Sequence, residues 1–343
     1  MPLVPMRAIL QASLDAYRKG PPFAVGAYNI NNMEQMQGIM LAANKTQSPI
    51  IVQASRGALK YADMDYLKHL MLAAVELNPA IPIAMHLDHG NSLDTAKKAI
   101  GLGFTSVMID GSLLEDGKTA SDYEYNIRVT KEVVDYARKF GVTTEGELGT
   151  LGGIEDGVGS GKIHLTDPDQ AVDFVKKTGV DALAVAIGTS HGAYKFKTEP
   201  KIAFDIVEKI RKKIPDVFLV SHGSSSVPHE LIDIINKYGG NMQKTMGVPL
   251  ESLKKAIALG INKINVDTDG RLAVTAAIRK FFAENPDKFD PRDYLKPARE
   301  ALAAVIEERM IAFGTAGHIK DVKLATLEDM KAFYIKKPET RNQ

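Results

Sequence analysis

Across 343 residues, 43 Lys and Arg balance 42 Asp and Glu, so a net charge of +1 offers no whole-chain field to draw in nucleic acid or an acidic membrane surface, and an anionic ligand has to be caught locally. Cysteine is absent, which excludes disulfides, thiolate ligands and cysteine nucleophiles and leaves His, Asp and Glu as metal donors. No run approaches the ~20 apolar residues of a membrane helix and the first residues lack a secretory signal, so we expect a cytoplasmic protein with no membrane or nucleic-acid partner.

Short Val- and Ile-rich runs alternate with longer amphipathic stretches, the rhythm of buried parallel strands joined by helices. The first strand is expected over residues 23–28, ending in Asn29, and a helix over 33–46 follows, started by Asn32. The second, 50–53, leads to Ser55 and a helix over 66–77, and the third, 83–86, leads to Asp88, His89 and a helix over 92–101. The fourth, 106–109, ends in Asp110 before a helix over 120–140, and the fifth, 143–147, carries Glu145 and Glu147. The sixth, 182–186, leads to His191 and lies between helices over 168–177 and 203–213. The seventh, 218–221, ends at His222, and after a helix over 250–259 the eighth, 263–266, carries Asn265 and ends at Asp267.

Eight strands are the barrel number, and the fold expected is α/β: a single (β/α)₈ TIM barrel, with residues 1–343 as one domain. An open doubly wound sheet is the alternative, but the Gly-x-Gly-x-x-Gly turn after the first strand is missing. Beyond the eighth strand, about 271–335 reads as a helical extension broken near 285–291 by Pro and Asp. The polar residues 336–343 read as a fraying tail.

In such barrels the working residues sit at the carboxyl ends of the strands, and here every expected strand delivers a polar group there. His89, His191 and His222 each follow an apolar run and each precede a Gly. Taken singly, each reads as a hydrogen-bonded strand-end residue. Three in one pattern read as the neutral imidazoles of a catalytic Zn²⁺ site, with Gly leaving room for close backbone approach. Of the other histidines, His86 is expected to point into the barrel, whereas His69, His164, His229 and His318 fall in helices, helix starts or loops.

Asp88 beside His89 reads either as an orienter of a metal ligand or as a general acid/base, and strict alternation along a strand would place the pair on opposite sides. Residues 148–163 hold six glycines around Glu155 and Asp156, read either as a lid carrying a carboxylate or as a solvated loop. The stretches His222-Gly223-Ser224-Ser225-Ser226 and Asn265-Val266-Asp267-Thr268 close strands where barrel phosphate sites are frequent, and Lys195 adds a nearby positive charge.

In this order, the strings Ala27-Tyr28-Asn29-Ile30-Asn31-Asn32, His86-Leu87-Asp88-His89-Gly90, Thr105 to Ser112, Glu145-Gly146-Glu147-Leu148-Gly149, Gly188 to Lys195, His222 to Pro228 and Asn265 to Asp269 resemble class II fructose-bisphosphate aldolases, as far as about Lys331. The likeness is greatest to the Calvin-cycle fructose/sedoheptulose-bisphosphate branch, although residues 151–164 are shorter than the insertion that branch carries. The resemblance implies reversible cleavage of fructose 1,6-bisphosphate through a Zn-stabilised enediolate. His89, His191 and His222 would be the zinc ligands, and Asp110 and Glu147 would belong to a second, exchangeable divalent position; a monovalent cation is also compatible. It further implies Asp88 as the proton donor and acceptor at the aldehyde oxygen, and Glu155 as the lid carboxylate that exchanges the carbon proton.

Gly192, Lys195, Gly223, Ser225, Asp267 and Thr268 would hold one phosphate, with Ser224 and Val266 in the same stretches, Asn265 on the ketose oxygen, Ser55 toward the glyceraldehyde phosphate part, and Asn29 also among the substrate-binding residues. The expected partners are phosphorylated sugars and further copies of the chain in a homodimer or homotetramer. A tagatose-bisphosphate or other ketose-bisphosphate aldolase is the nearest rival. A Schiff-base aldolase is disfavoured because Lys263 starts its expected strand, and a non-catalytic metal-binding module would need neither Asp88 nor a lid carboxylate.

Overall fold

A computed structural model describes residues 3–153 and 163–336. Its centre is a closed, all-parallel barrel with strands in sequence order, as the alternation of apolar runs and amphipathic stretches implies. The strands are β1 (Val25–Asn29), β2 (Ile50–Ser55), β3 (Ile83–Gly90), β4 (Ser106–Ile109), β5 (Thr143–Leu148), β6 (Ala182–Val185), β7 (Phe218–Ser221) and β8 (Ile261–Val266).

Before the barrel lies α1 (Met6–Lys19), and α2 (Met33–Thr46), α3 (Arg56–Ala62), α4 (Met64–Leu77), α5 (Leu93–Gly101) and α6 (Tyr123–Arg138) link the strands up to β5. The second half contributes α7 (Pro168–Thr178), α8 (Phe204–Lys213), α9 (His229–Lys237) and α10 (Leu250–Ala258), and the extension is α11 (Thr268–Glu284), α12 (Pro291–Ala312) and α13 (Leu327–Lys336). The chain breaks between α11 and α12 at the Pro- and Asp-rich stretch where the break was expected. Local chemistry sets many helix starts: Asn32, Ser92, Asp122 and Asp167 each accept a backbone N–H of the first turn, and Pro168 follows Asp167.

Three elements were not anticipated. Helices α3 and α9 are short, and α1 lies across the amino ends of the strands, where Met6, Ile9 and Leu10 join Ala27, Ile51, Ala84, Met108, Ala184, Phe218 and Val220 in one buried apolar cluster. The barrel is therefore plugged from below and is a packed core, not a pore. Several strand limits move by one to four residues, and two of these shifts bear on the site. β3 runs on to Gly90, four residues past its expected end, and β8 starts at Ile261, so Lys263 lies inside its strand and not at its beginning.

Polar residues share the interior with this apolar cluster, in register with Val25, Met108 and Val220 on neighbouring strands. His86 on β3, Glu145 on β5 and Lys263 on β8 meet one another there, although none of these strands is hydrogen-bonded to another of the three. Contacts between non-adjacent strands place these side chains inside the barrel.

Candidate metal centre

His89, His191 and His222 converge at the carboxyl-end mouth from β3, the segment after β6 and the end of β7. Each offers a ring nitrogen within 4.8 Å of the others', and His89, Asp110 and Glu147 form a second such group sharing His89. The ring centroids lie 4.7 Å apart for His89 and His222 and 5.0 Å apart for His89 and His191.

Strict alternation would set Asp88 and His89 on opposite faces, yet both reach the mouth. His89 has φ of 49°, a left-handed backbone that is costly for a side chain with a Cβ, and the β3–β4 register shifts between Leu87 and Gly90. This bulge turns consecutive residues to one side. Gly90 is required beside it, because a Cβ there would lie 2.5 Å from the Met108 carbonyl oxygen. Gly223 plays the same part after His222: its φ is 60°, and a Cβ would lie 2.6 Å from the Ser190 carbonyl carbon.

Hydrogen-bond partners fix which imidazole atoms face the centre. His222 Nε2 lies 2.7 Å from Glu145 Oε1, so it carries the proton, and Nδ1 is left as an acceptor 3.1 Å from the Asn265 amide. His89 Nδ1 lies 3.3 Å from Asp110 Oδ2 and donates to it, which turns its Nε2 toward His222 Nδ1 at 3.0 Å. Two nitrogen lone pairs aimed at each other at that distance need a proton or a cation between them. Metal-binding histidines characteristically donate their other N–H to a carboxylate, as both do here.

The charges fit a cation equally well. Burial, with the His89 and Lys263 charges, holds His222 well below the usual imidazole range, leaving its lone pair available. Burial opposes charge on His89, but Asp88, Asp110 and Glu147 outweigh it and raise the group to about 10. Burial and the Asp110 charge push Glu147 well above the carboxylate range, and its Oε2 is buried without a hydrogen-bond partner. A divalent ion among these donors would replace the proton between the rings and relieve the crowded carboxylates, so the residues suit a metal such as zinc.

Asp88 stands beside this group with both oxygens accepting: Oδ2 from Asn29 Nδ2 at 3.0 Å and Oδ1 from Asn265 Nδ2 at 3.1 Å. Asn29 is in turn held by Gln53 Nε2 at 2.7 Å. Burial alone would raise Asp88, but His89, His222 and Lys263 bring it below the ordinary carboxylate value, so it is ionised at neutral pH.

The expected anion-binding residues gather at the ends of β6, β7 and β8. Lys195 donates to the carbonyls of Ser190 and Gly223, the latter at 2.7 Å, which holds its ammonium between two loops. Ser225 Oγ accepts from Asp267 N at 3.4 Å, and Thr268 opens α11, whose N-terminus faces this region. Ser224 turns its hydroxyl inward, 2.8 Å from Ser221 Oγ, and the Val266 side chain packs into the core, so both offer the mouth only backbone groups. Gly192 has φ of 77°, and Ser55 Oγ caps α3 by accepting from Ala58 N. Glu155 lies outside the described residues, but the chain leading to it is fastened to the centre where Gly152 O accepts from His191 N at 2.9 Å.

Three residues to which the sequence reading gave no role organise this site. Asp269 accepts from the backbone N–H groups of Ser226 and Val227 and from Arg309, tying the serine-rich loop to α11 and α12. Arg271 pairs with Asp267 at 2.6 Å, offsetting a carboxylate that would repel an anion. Glu145 bridges His222 and Lys263, and the Lys263 side chain is fully buried beneath the mouth. That burial, and not its place in the strand, keeps Lys263 from any carbonyl substrate.

A family model described as fructose-bisphosphate aldolase class II matches residues 9–318. A fructose-bisphosphate aldolase of Giardia intestinalis is 53% identical, covering 97% of this chain and 100% of the relative. One from a Nostoc species is 50% identical, covering 98% of this chain and 96% of the relative. Among solved structures, the YdjI aldolase from Escherichia coli K12 superposes with a TM-score of 0.72 at 29% identity, covering 92% of this chain and 99% of that one.

Proposed function

We propose that this chain, which belongs to the class II fructose-bisphosphate aldolase family, performs the family's cleavage of fructose 1,6-bisphosphate to dihydroxyacetone phosphate and glyceraldehyde 3-phosphate with zinc held by His89, His191 and His222. The lyase activity follows from family membership. The metal assignment is carried by one observation: His89 Nε2 and His222 Nδ1 face each other at 3.0 Å while their far nitrogens donate to carboxylates.

A divalent ion bound there supplies Lewis-acid stabilisation for the oxygen charge that develops as the carbon–carbon bond breaks. Asp88, ionised and held by Asn29 and Asn265, takes the proton from the hydroxyl on the carbon that leaves as aldehyde, and returns it in condensation. Glu155 is assigned the proton exchange at the adjacent carbon on resemblance alone; loss of hydrogen exchange at that carbon in Glu155→Gln tests it. Asp110 and Glu147 make the second, exchangeable divalent position with His89. Gly192, Lys195, Gly223, Ser225, Asp267 and Thr268 bind the phosphate on the ketone side, and Ser55 faces the aldehyde side.

The working protein is proposed to be a cytoplasmic homodimer or homotetramer, which sedimentation velocity would report. Among the described residues no helix is long and apolar enough to cross a membrane. Cleavage of fructose, tagatose and sedoheptulose bisphosphates, measured before and after chelation and after zinc is restored, tests the whole reading. Fructose 1,6-bisphosphate should be cleaved, lose turnover to the chelator and regain it with zinc. Chelator-resistant turnover would reject the metal, and preference for another ketose would reassign the substrate.

A further inference from the structure

Beneath the metal centre the barrel encloses a charged cluster that direct substrate chemistry does not use. Lys263 Nζ lies 2.9 Å from Glu145 Oε2 and 3.4 Å from His86 Nε2, and all three side chains are fully buried. The other Glu145 oxygen is 2.7 Å from His222 Nε2. On the far side, His86 Nδ1 is 2.6 Å from Ser106 Oγ, which closes the set against β4.

An ammonium buried in a barrel core is costly to keep, and replacing a buried ion pair by apolar side chains is often neutral or favourable for stability. The strands beside it meet the same interior without charge, with Met108 and Ala182 opposite Glu145 and Val220 opposite Lys263. Packing therefore does not account for Lys263. Its position does, because the carboxylate it holds reaches the imidazole at the centre.

We propose that Lys263 is a positioning residue for the metal site: it pins Glu145 as the acceptor of the His222 Nε2 proton, so that His222 presents Nδ1 to the metal. Without the ammonium, Glu145 loses its partner on the far oxygen. It is then free to turn away from Nε2, and the His222 proton is no longer held there. His86 completes the seat by accepting from the same ammonium while donating to Ser106. The inference rests on His222 being a zinc ligand, and it adds that the ligand atom is chosen two residues away.

The experiment uses full-length Lys263→Met, the paired Lys263→Met/Glu145→Gln and His222→Ala. Fold is checked by circular dichroism and melting, zinc affinity by competition with a chromogenic chelator, and the His222 tautomer by ring nitrogen NMR shifts of the metal-free protein. The paired variant removes both charges together, which guards against a fold lost merely through an unpaired Glu145. In every folded variant of the pair we expect zinc affinity about 10- to 100-fold weaker and a His222 ring no longer confined to the Nε2–H form. Folded variants with wild-type zinc affinity and an unchanged tautomer would overturn the role of Lys263. If His222→Ala itself kept wild-type zinc affinity, the ligand assignment would fall, and this inference with it.

Discussion

His89 shows how one backbone dihedral decides what a pair of side chains can do. The left-handed φ of 49° and the accompanying bulge bring His89 and Asp88 to the same mouth, which an ideal strand forbids. The sequence displayed both residues and the glycine beside them, but a bulge leaves no signature beyond that Gly, so the conflict with alternation was visible and its resolution was not. With both groups in place, their tasks separate. Asn29 and Asn265 donate to Asp88 and keep it an acceptor, whereas carboxylates draw the far protons of His89 and His222. Asp88→Asn should therefore lower kcat by about 10²- to 10⁴-fold, the range for a lost general acid/base. Zinc affinity, measured by chelator competition on the same sample, should stay near that of the parent. A variant with undiminished kcat would remove Asp88 from the chemistry.

At the level of elements, the strands were legible because parallel strands covered on both faces read as continuous apolar runs. Helix α1 was not, although Met6, Ile9, Leu10 and Leu14 have helical spacing. Pro5 gives no capping side chain, and nothing local announces that a helix will plug the barrel from below. The serine-rich loop after β7 was found by composition, but what holds it was not, because the holder lies in later elements. Asp269 at the start of α11 accepts two backbone N–H groups of that loop, and Arg309 of α12 pairs with it at 3.0 Å. Arg309 is 2% exposed and the Asp269 side chain is fully buried, so removing one partner strands a charge. Arg309→Leu should cost roughly 3–5 kcal/mol in denaturant unfolding and raise KM for the bisphosphate through the loosened loop. A cost under about 1 kcal/mol would mean that the pair does not anchor the loop.

For the whole molecule, barrel and extension share one apolar core: Leu302, Ile306, Met310 and Phe313 belong to the cluster that covers the outer faces of the strands. Gly38 of α2 sits so close to α12 that a Cβ would lie 2.8 Å from Leu302, and Arg299 reaches Gln37 at 2.8 Å. We propose that these parts form one domain, and calorimetry should then show a single cooperative transition; a separate earlier transition for α11 to α13 would contradict it. At this scale the barrel and its reactive rim were readable, since eight strand ends each brought a polar group. The Glu145 to Lys263 contact spans 118 residues and was not, because pairings across a barrel interior leave no local pattern. The central claim is that three imidazoles hold one metal. Anomalous scattering at the zinc edge from crystals of the zinc-loaded protein tests it most directly. We predict a peak about 2.0–2.1 Å from a nitrogen of each of His89, His191 and His222, with Nδ1 the atom used by His222. A zinc peak elsewhere, or one that any of the three rings fails to reach, would contradict it.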